Sequence, residues 1–324
     1  MKKVLLSAVA AYALTAGAAL AADLPAKARP VVAPPPPAWD VAFGAAIASD
    51  YRFRGISQSN RQPSASAYFE PRYNFNPDLQ VYAGIAGASI DLPNRAASEI
   101  DFYAGIRPTF GKLALDIGAL YYWYSGGQCF HGNPAFGSDC FRGAIPINGN
   151  VIKKDLSFLE GYVRGVYSVT DAFQLGFNAY FTDSFLNSGA DGTYASGTAK
   201  YTFPAFTNGV AVYVSGEYGY QWLGTSDSFY SIAGVPGALG INYKDYATWN
   251  VGIGFTYKVL ALDLRYIDTN LNKGDCNAFT SDHTAAGPFT SVTAINPFGL
   301  SSKWCGATFV AKLSADLTLN QNIK

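Results

Sequence analysis

Charge is scarce in this 324-residue chain: Asp, Glu, Lys and Arg make up 14% of it, split evenly into 23 acidic and 23 basic residues. With no basic run and no net charge, the chain has no electrostatic footprint for nucleic acid. Histidine occurs only as His131 and His283, and methionine once. The four cysteines include no C-x-x-C pair, which removes the usual spacing of a zinc or redox motif. Beyond residue 21, no stretch reaches the roughly 18 apolar residues a membrane helix needs. Any bilayer crossing must therefore be made by strands.

What is plentiful is 33 Gly, 22 Tyr and 22 Phe. Such a composition suits a barrel. At the front, Lys2 and Lys3 precede an Ala-rich apolar run that ends at Ala19-Leu20-Ala21. Residues 1–21 are expected to be a secretory signal rather than a retained anchor. Residues 22–38 hold PVVAPPPPA, which favours polyproline II and cannot join a ladder; they read as a periplasmic spacer. Residues 39–324 carry no interior linker and are expected to form one domain.

The centre of that domain is SEIDFYAGIRPTFGKLALDIGALYYWYS, residues 98–125. Ile100, Phe102, Ala104 and Ile106 alternate with Asp101, Tyr103, Gly105 and Arg107. After a turn at 110–112, Leu113, Leu115, Ile117 and Ala119 alternate with Ala114, Asp116, Gly118 and Leu120. Period-2 alternation separates the side chains onto two faces. By itself this hairpin fits a soluble sandwich, apolar face inward, or a transmembrane barrel, apolar face toward lipid. Its aromatic end, 121–124, leans toward a membrane interface.

Loop lengths decide between the two. Twelve strands are expected at about 39–51, 62–75, 79–91, 98–110, 112–125, 155–169, 172–183, 193–203, 209–223, 246–258, 259–269 and 304–317. The connections alternate. Short ones lie at 76–78, 111, 170–171, 204–208 and 258–259; longer ones at 52–61, 92–97, 126–154, 184–192, 224–245 and 270–303. Bacterial outer-membrane barrels have short periplasmic turns, long outer loops and an even strand number. The expected fold is therefore all-β: a transmembrane antiparallel up-and-down β-barrel of about 12 strands in the cell outer membrane.

Placing the polar set inward lines the lumen with Glu70, Arg72, Asp101, Arg107, Asp116, Glu160, Arg164, Lys200, Glu217, Asp263, Arg265 and Lys312. Six acids face six bases. They would pair across neighbouring strands, line a screened polar pore, or do both. Twelve strands fall between the filled eight-stranded barrel and the open sixteen-stranded porin, so a narrow passage is expected, with long loops free to fold in. A balanced lining predicts weak ion selectivity, since rings of one sign set selectivity in charged pores.

An exported chain meets an oxidising compartment. Of the three ways to pair Cys129, Cys140, Cys276 and Cys305, the most local is Cys129–Cys140 with Cys276–Cys305. A metal site would have only His131 near the first two cysteines. Asp268, Asn270 and Asp275 lack the spacing of a Ca²⁺ loop. No metal and no cofactor is expected. A hydrolase at the rim would need a His–Ser pair, yet no nucleophile motif surrounds Ser138, Ser281 or Ser301; His131 and His283 read as loop histidines in water.

Residues 49–59 read SDYRFRGISQS and are followed by Asn60, Arg61, Gln62 and Pro63. This resembles the signature near the start of the TorF porin family. The block EIDFYAGIRPTFG is similar to that family's next one, where an acidic residue and Tyr-x-Gly precede the turn. The resemblance covers residues 39–125 best. It implies an outer-membrane barrel with a channel role and no catalytic residues. One departure is the C-terminus: such barrels commonly end on an aromatic residue, whereas this chain ends LTLNQNIK. The expected function is passive diffusion of small hydrophilic solutes or ions. The alternative is a non-conducting surface barrel that acts structurally or binds a partner through its loops. The expected partners are outer-membrane lipid and those solutes; an oligomer is compatible with this.

Overall fold

The computed structural model describes residues 37–128, 152–227, 240–287, 296 and 299–322. The signal segment, most of the spacer, Cys129, Cys140, His131 and Ser138 lie outside the described residues. Twelve strands close into one antiparallel barrel: β1 (Trp39–Ala48), β4 (Ser64–Asn76), β5 (Leu79–Ser89), β6 (Ser98–Phe110), β7 (Leu113–Ser125), β8 (Phe158–Ser168), β9 (Phe173–Thr182), β10 (Gly192–Thr202), β11 (Ala211–Leu223), β12 (Tyr246–Tyr257), β13 (Leu260–Thr269) and β14 (Thr308–Thr318). Two short strands, β2 (Arg52–Phe53) and β3 (Ile56–Ser57), form a separate hairpin. Each barrel strand pairs with the next in sequence. β1 also pairs with β14, from Ala42↔Thr318 to Ala48↔Lys312. Closure leaves no unpaired sheet edge. A last turn of helix, α2 (Leu319–Asn322), ties the end of the chain back to β1: the Asn320 amide nitrogen donates to Asp40 and its side chain donates to the Trp39 carbonyl.

The alternation read from the sequence sets the wall. Phe69, Phe102, Ile117, Phe177, Ile253, Leu262 and Leu313 point outward and are exposed. Of the outward positions on the twelve strands only Asp268 carries a formal charge; it sits at the long-loop end of β13 and accepts the Tyr266 hydroxyl. Trp39, Phe75, Phe110, Tyr167, Phe203 and Tyr257 ring the short-turn end. Tyr121, Trp123, Phe181, Trp222 and Phe309 ring the other. An uncharged apolar band between two aromatic girdles is the outer surface a bilayer requires. The aromatic stretch 121–124 divides: Tyr121 and Trp123 face out, while Tyr122 and Tyr124 are buried inside.

Inside, tyrosine rings lie across glycines on the neighbouring strand. Tyr82 lies over Gly105, Tyr162 over Gly118 and Tyr213 over Gly254, each directly opposite in register. A Cβ on Gly254 would lie 1.9 Å from the Tyr213 ring. The many Gly and Tyr residues are thus two halves of one packing device. They fill the barrel with cross-strand pairs.

Two sequence boundaries are corrected. The first strand ends at Ala48, not near 51, because Asp50 and Tyr51 turn inward with the following loop. The last strand begins at Thr308, not at 304; Trp304 and Cys305 are each 1% exposed and belong to a lid over the long-loop end. That lid is built on α1 (Lys273–Thr280), capped by Asn272, whose side chain accepts from the backbone of Gly274 and Asp275. Cys276 on α1 is bridged to Cys305. Phe279 packs on Phe185, Tyr243 and Tyr246. His283 is not in water as expected: its side chain is 10% exposed and packs edge-on against Trp304.

Candidate functional site: a hairpin inside the lumen

Of residues 52–61, expected as an outer loop, 52–59 fold into the barrel instead. Arg52 through Ser59 are all buried. The Arg52–Ser57 hairpin turns on Arg54 (φ 47°) and Gly55 (φ 83°), with Phe53 opposite Ile56. Positive φ at both central residues matches the twist of a two-residue hairpin. Gly55 suits this backbone; Arg54 adopts it at a cost of about 1–2 kcal/mol. Gly55 is also fixed by space. A Cβ there would lie 2.4 Å from Thr269 and 2.5 Å from Thr248, on the β13 and β12 wall.

Arg54 is what the tip delivers. Its Nη2 donates to Glu160 at 2.7 Å and its Nη1 to Gln221 at 2.9 Å. Its guanidinium carbon lies 4.6 to 4.9 Å from the rings of Phe53, Tyr194 and Tyr180. Burial disfavours the cation, but the Glu160 carboxylate beside it holds its pKa above the ordinary value. A desolvated guanidinium needs such a bidentate and aromatic setting. Asp50 braces the base of the hairpin, accepting from Arg52 Nε at 2.6 Å and Ser57 Oγ at 2.7 Å. Arg52 Nη1 donates to the Trp304 carbonyl, which ties the insert to the lid.

All twelve residues expected to line the lumen face inward, and most belong to two wall networks. On β4–β8, Glu70 accepts from Arg72 (2.5 Å) and Arg107 (2.7 Å), and Asp116 from Arg107 (3.2 Å) and Arg164 (2.6 Å). On β10–β13, Arg265 donates to Asp263 at 2.9 Å and to Asn250, which donates to Glu217. Glu160 serves Arg54. Asp101 lies buried next to Glu99, with its Oδ1 unpaired. Lys200 and Lys312 are the exceptions among the luminal cations. Lys200 lies over the Tyr213 ring, and neither lysine makes an ion pair or a hydrogen bond among the described residues. Several charged groups escaped the sequence reading, among them Asp316, which shares the inward parity of Lys312 on β14 and accepts the Tyr68 hydroxyl. Glu99 shares the parity of Asp101 and was legible from it. Asp50, Arg52 and Arg54 sit in a loop, where no period reveals direction.

The hairpin does not fill the barrel. Its tip packs against β7–β13. On the other side a partly open cavity remains, lined by Asp50, Arg52, Glu99, Asp263, Arg265 and Lys312 and by small residues of β1, β4 and β5. A second cavity lies under the lid among Ile56, Leu92, Ile152, Leu156, Phe279 and Trp304, and is largely apolar.

No curated protein matches the chain. Solved outer-membrane barrels are similar to it in fold. A FadL homologue of Pseudomonas aeruginosa is 11% identical over 86% of this chain and 90% of that one, with a TM-score of 0.42. A loop-deletion mutant of OmpT, an outer membrane protein of Vibrio cholerae, is 10% identical over 86% and 98%, at 0.35. OmpF of Salmonella typhi, in complex with daunomycin, is 9% identical over 86% and 96%, at 0.33. At such values these proteins say nothing about what this barrel binds or moves. A family profile matches residues 33–295, most of the chain, and the chain therefore belongs to that family, described as bacterial protein of unknown function (Gcw_chp).

Proposed function

We propose that the protein is an outer-membrane channel of narrow bore, in which the Arg52–Ser57 hairpin sets the passage for small hydrophilic solutes or ions. The observation that carries this reading is the polar cavity left beside the hairpin, lined by three acids and three bases. An insert meant only to fill the barrel has no reason to leave a charged void along six strands. The resemblance of residues 49–63 to the TorF porins supports the same reading, because that signature is the inserted loop itself. The uncharged outer band suits outer-membrane lipid as the surrounding partner. The reading assigns the protein no catalytic step. Reconstituted in planar bilayers, the folded protein should give small discrete current steps. Arg54→Ala should enlarge them several-fold by freeing the tip from Glu160. Silence from protein shown to be folded would favour the second reading, a non-conducting surface barrel. The apolar lid packed around Phe279 and Trp304 speaks for that alternative.

A further inference from the structure

The polar cavity has an uneven charge arrangement. Of its six charged residues, four are already paired with each other: Arg52 with Asp50 at 2.6 Å and Arg265 with Asp263 at 2.9 Å. Two remain. Glu99 is 1% exposed, accepts the Tyr51 hydroxyl and has no cationic partner. Asp101, two residues along the same inward face, adds an oxygen that is buried and without a hydrogen-bond partner. Among the described residues Lys312 makes no ion pair and no hydrogen bond, although Asp263, already held by Arg265, lies directly opposite it in register. Arg52 keeps a second donor, Nη2, buried and unpartnered on the same cavity wall.

Buried charges are kept when something pairs with them. Here the Glu99 end has no cation, and on the other wall two cations, Lys312 and Arg265, share one cavity-lining carboxylate, Asp263, while the lining as a whole is neutral. A lone anion would satisfy Lys312 and leave the Glu99 end bare; a lone cation would do the reverse. We propose that this cavity binds a small zwitterion, such as an α-amino acid, with its ammonium toward Glu99 and its carboxylate toward Lys312 and Arg52 Nη2. The proposal rests on the channel reading for the solute's route in and names the solute class; binding itself is measurable without current.

The test is calorimetric titration of the refolded full-length protein with L-serine, acetate and ethylammonium, alongside bilayer recordings of the same preparation. Saturable L-serine binding is expected, at least tenfold tighter than either single-charge probe. Lys312→Gln and Glu99→Gln should each weaken it at least tenfold; the glutamine at 99 can still accept from Tyr51, so the fold survives. Lys112→Gln, on an exposed turn, should leave binding unchanged. Acetate or ethylammonium binding as tightly as L-serine, or L-serine binding indifferent to both cavity variants, would overturn the proposal. So would no binding by a protein that conducts. A silent bilayer with Lys312-dependent L-serine binding would sink the channel reading and leave the zwitterion site standing.

Discussion

The two sides of the lumen solve the same problem differently. Toward β7–β12 the space is closed by an arginine surrounded by partners: Glu160, Gln221 and four aromatic rings. Toward β13, β14 and β1 it stays open, and one of the six charges that face it, Lys312, makes no ion pair among the described residues. The division follows residue type. The six luminal arginines at 52, 54, 72, 107, 164 and 265 each hold a carboxylate, whereas the luminal lysines do not. A planar fork of donors builds rigid bidentate networks; a flexible, strongly hydrated ammonium serves as a contact for something mobile. One side is structural, the other is available.

The comparison breaks first at Gly55. Gly55→Val forces a β-branched residue to φ 83° against Thr269 and should unseat the hairpin, at about 3–5 kcal/mol. Urea unfolding in lipid vesicles and a several-fold rise in single-channel conductance would report it. An unchanged conductance would mean the hairpin does not set the bore. Glu160→Gln strands the Arg54 cation and should cost about 3–5 kcal/mol. In the double variant with Arg54→Met, part of that loss should return, because no charge is left buried; strictly additive losses would show that the pair is not coupled. Cys276→Ser should cost about 2–4 kcal/mol. The change should appear as faster hydrogen exchange around α1 and Trp304, with the strands untouched. The smallest effect is expected at Lys312→Gln. With no pair to break, its unfolding midpoint should shift by less than about 1 kcal/mol. A loss as large as that of Glu160→Gln would erase the difference between the two sides.

Much of this was legible in the chain, for a simple reason. A strand's period of two puts each residue's direction into its position, so Phe102, Phe177 and Leu262 could be set outward and Arg107, Asp116 and Asp263 inward without coordinates. Glu99 followed the same rule and lay one step past where the alternation was read. The loop residues did not. Asp50, Arg52 and Arg54 belong to a segment whose direction depends on where its tip finds room, and that room is created by Gln221, Thr248 and Thr269, some 165 residues or more away in sequence. His283 misled for the same reason: Trp304 buries it.

By itself the sequence determined the wall: strand number, face polarity, the order of turns and loops, and the pairing of inward Gly with inward Tyr, since all of these are local or nearest-neighbour properties. Only the tertiary structure decided what occupies the middle. Which charges pair and which stay free depends on distances across a closed ring, and those exist only once β1 has met β14.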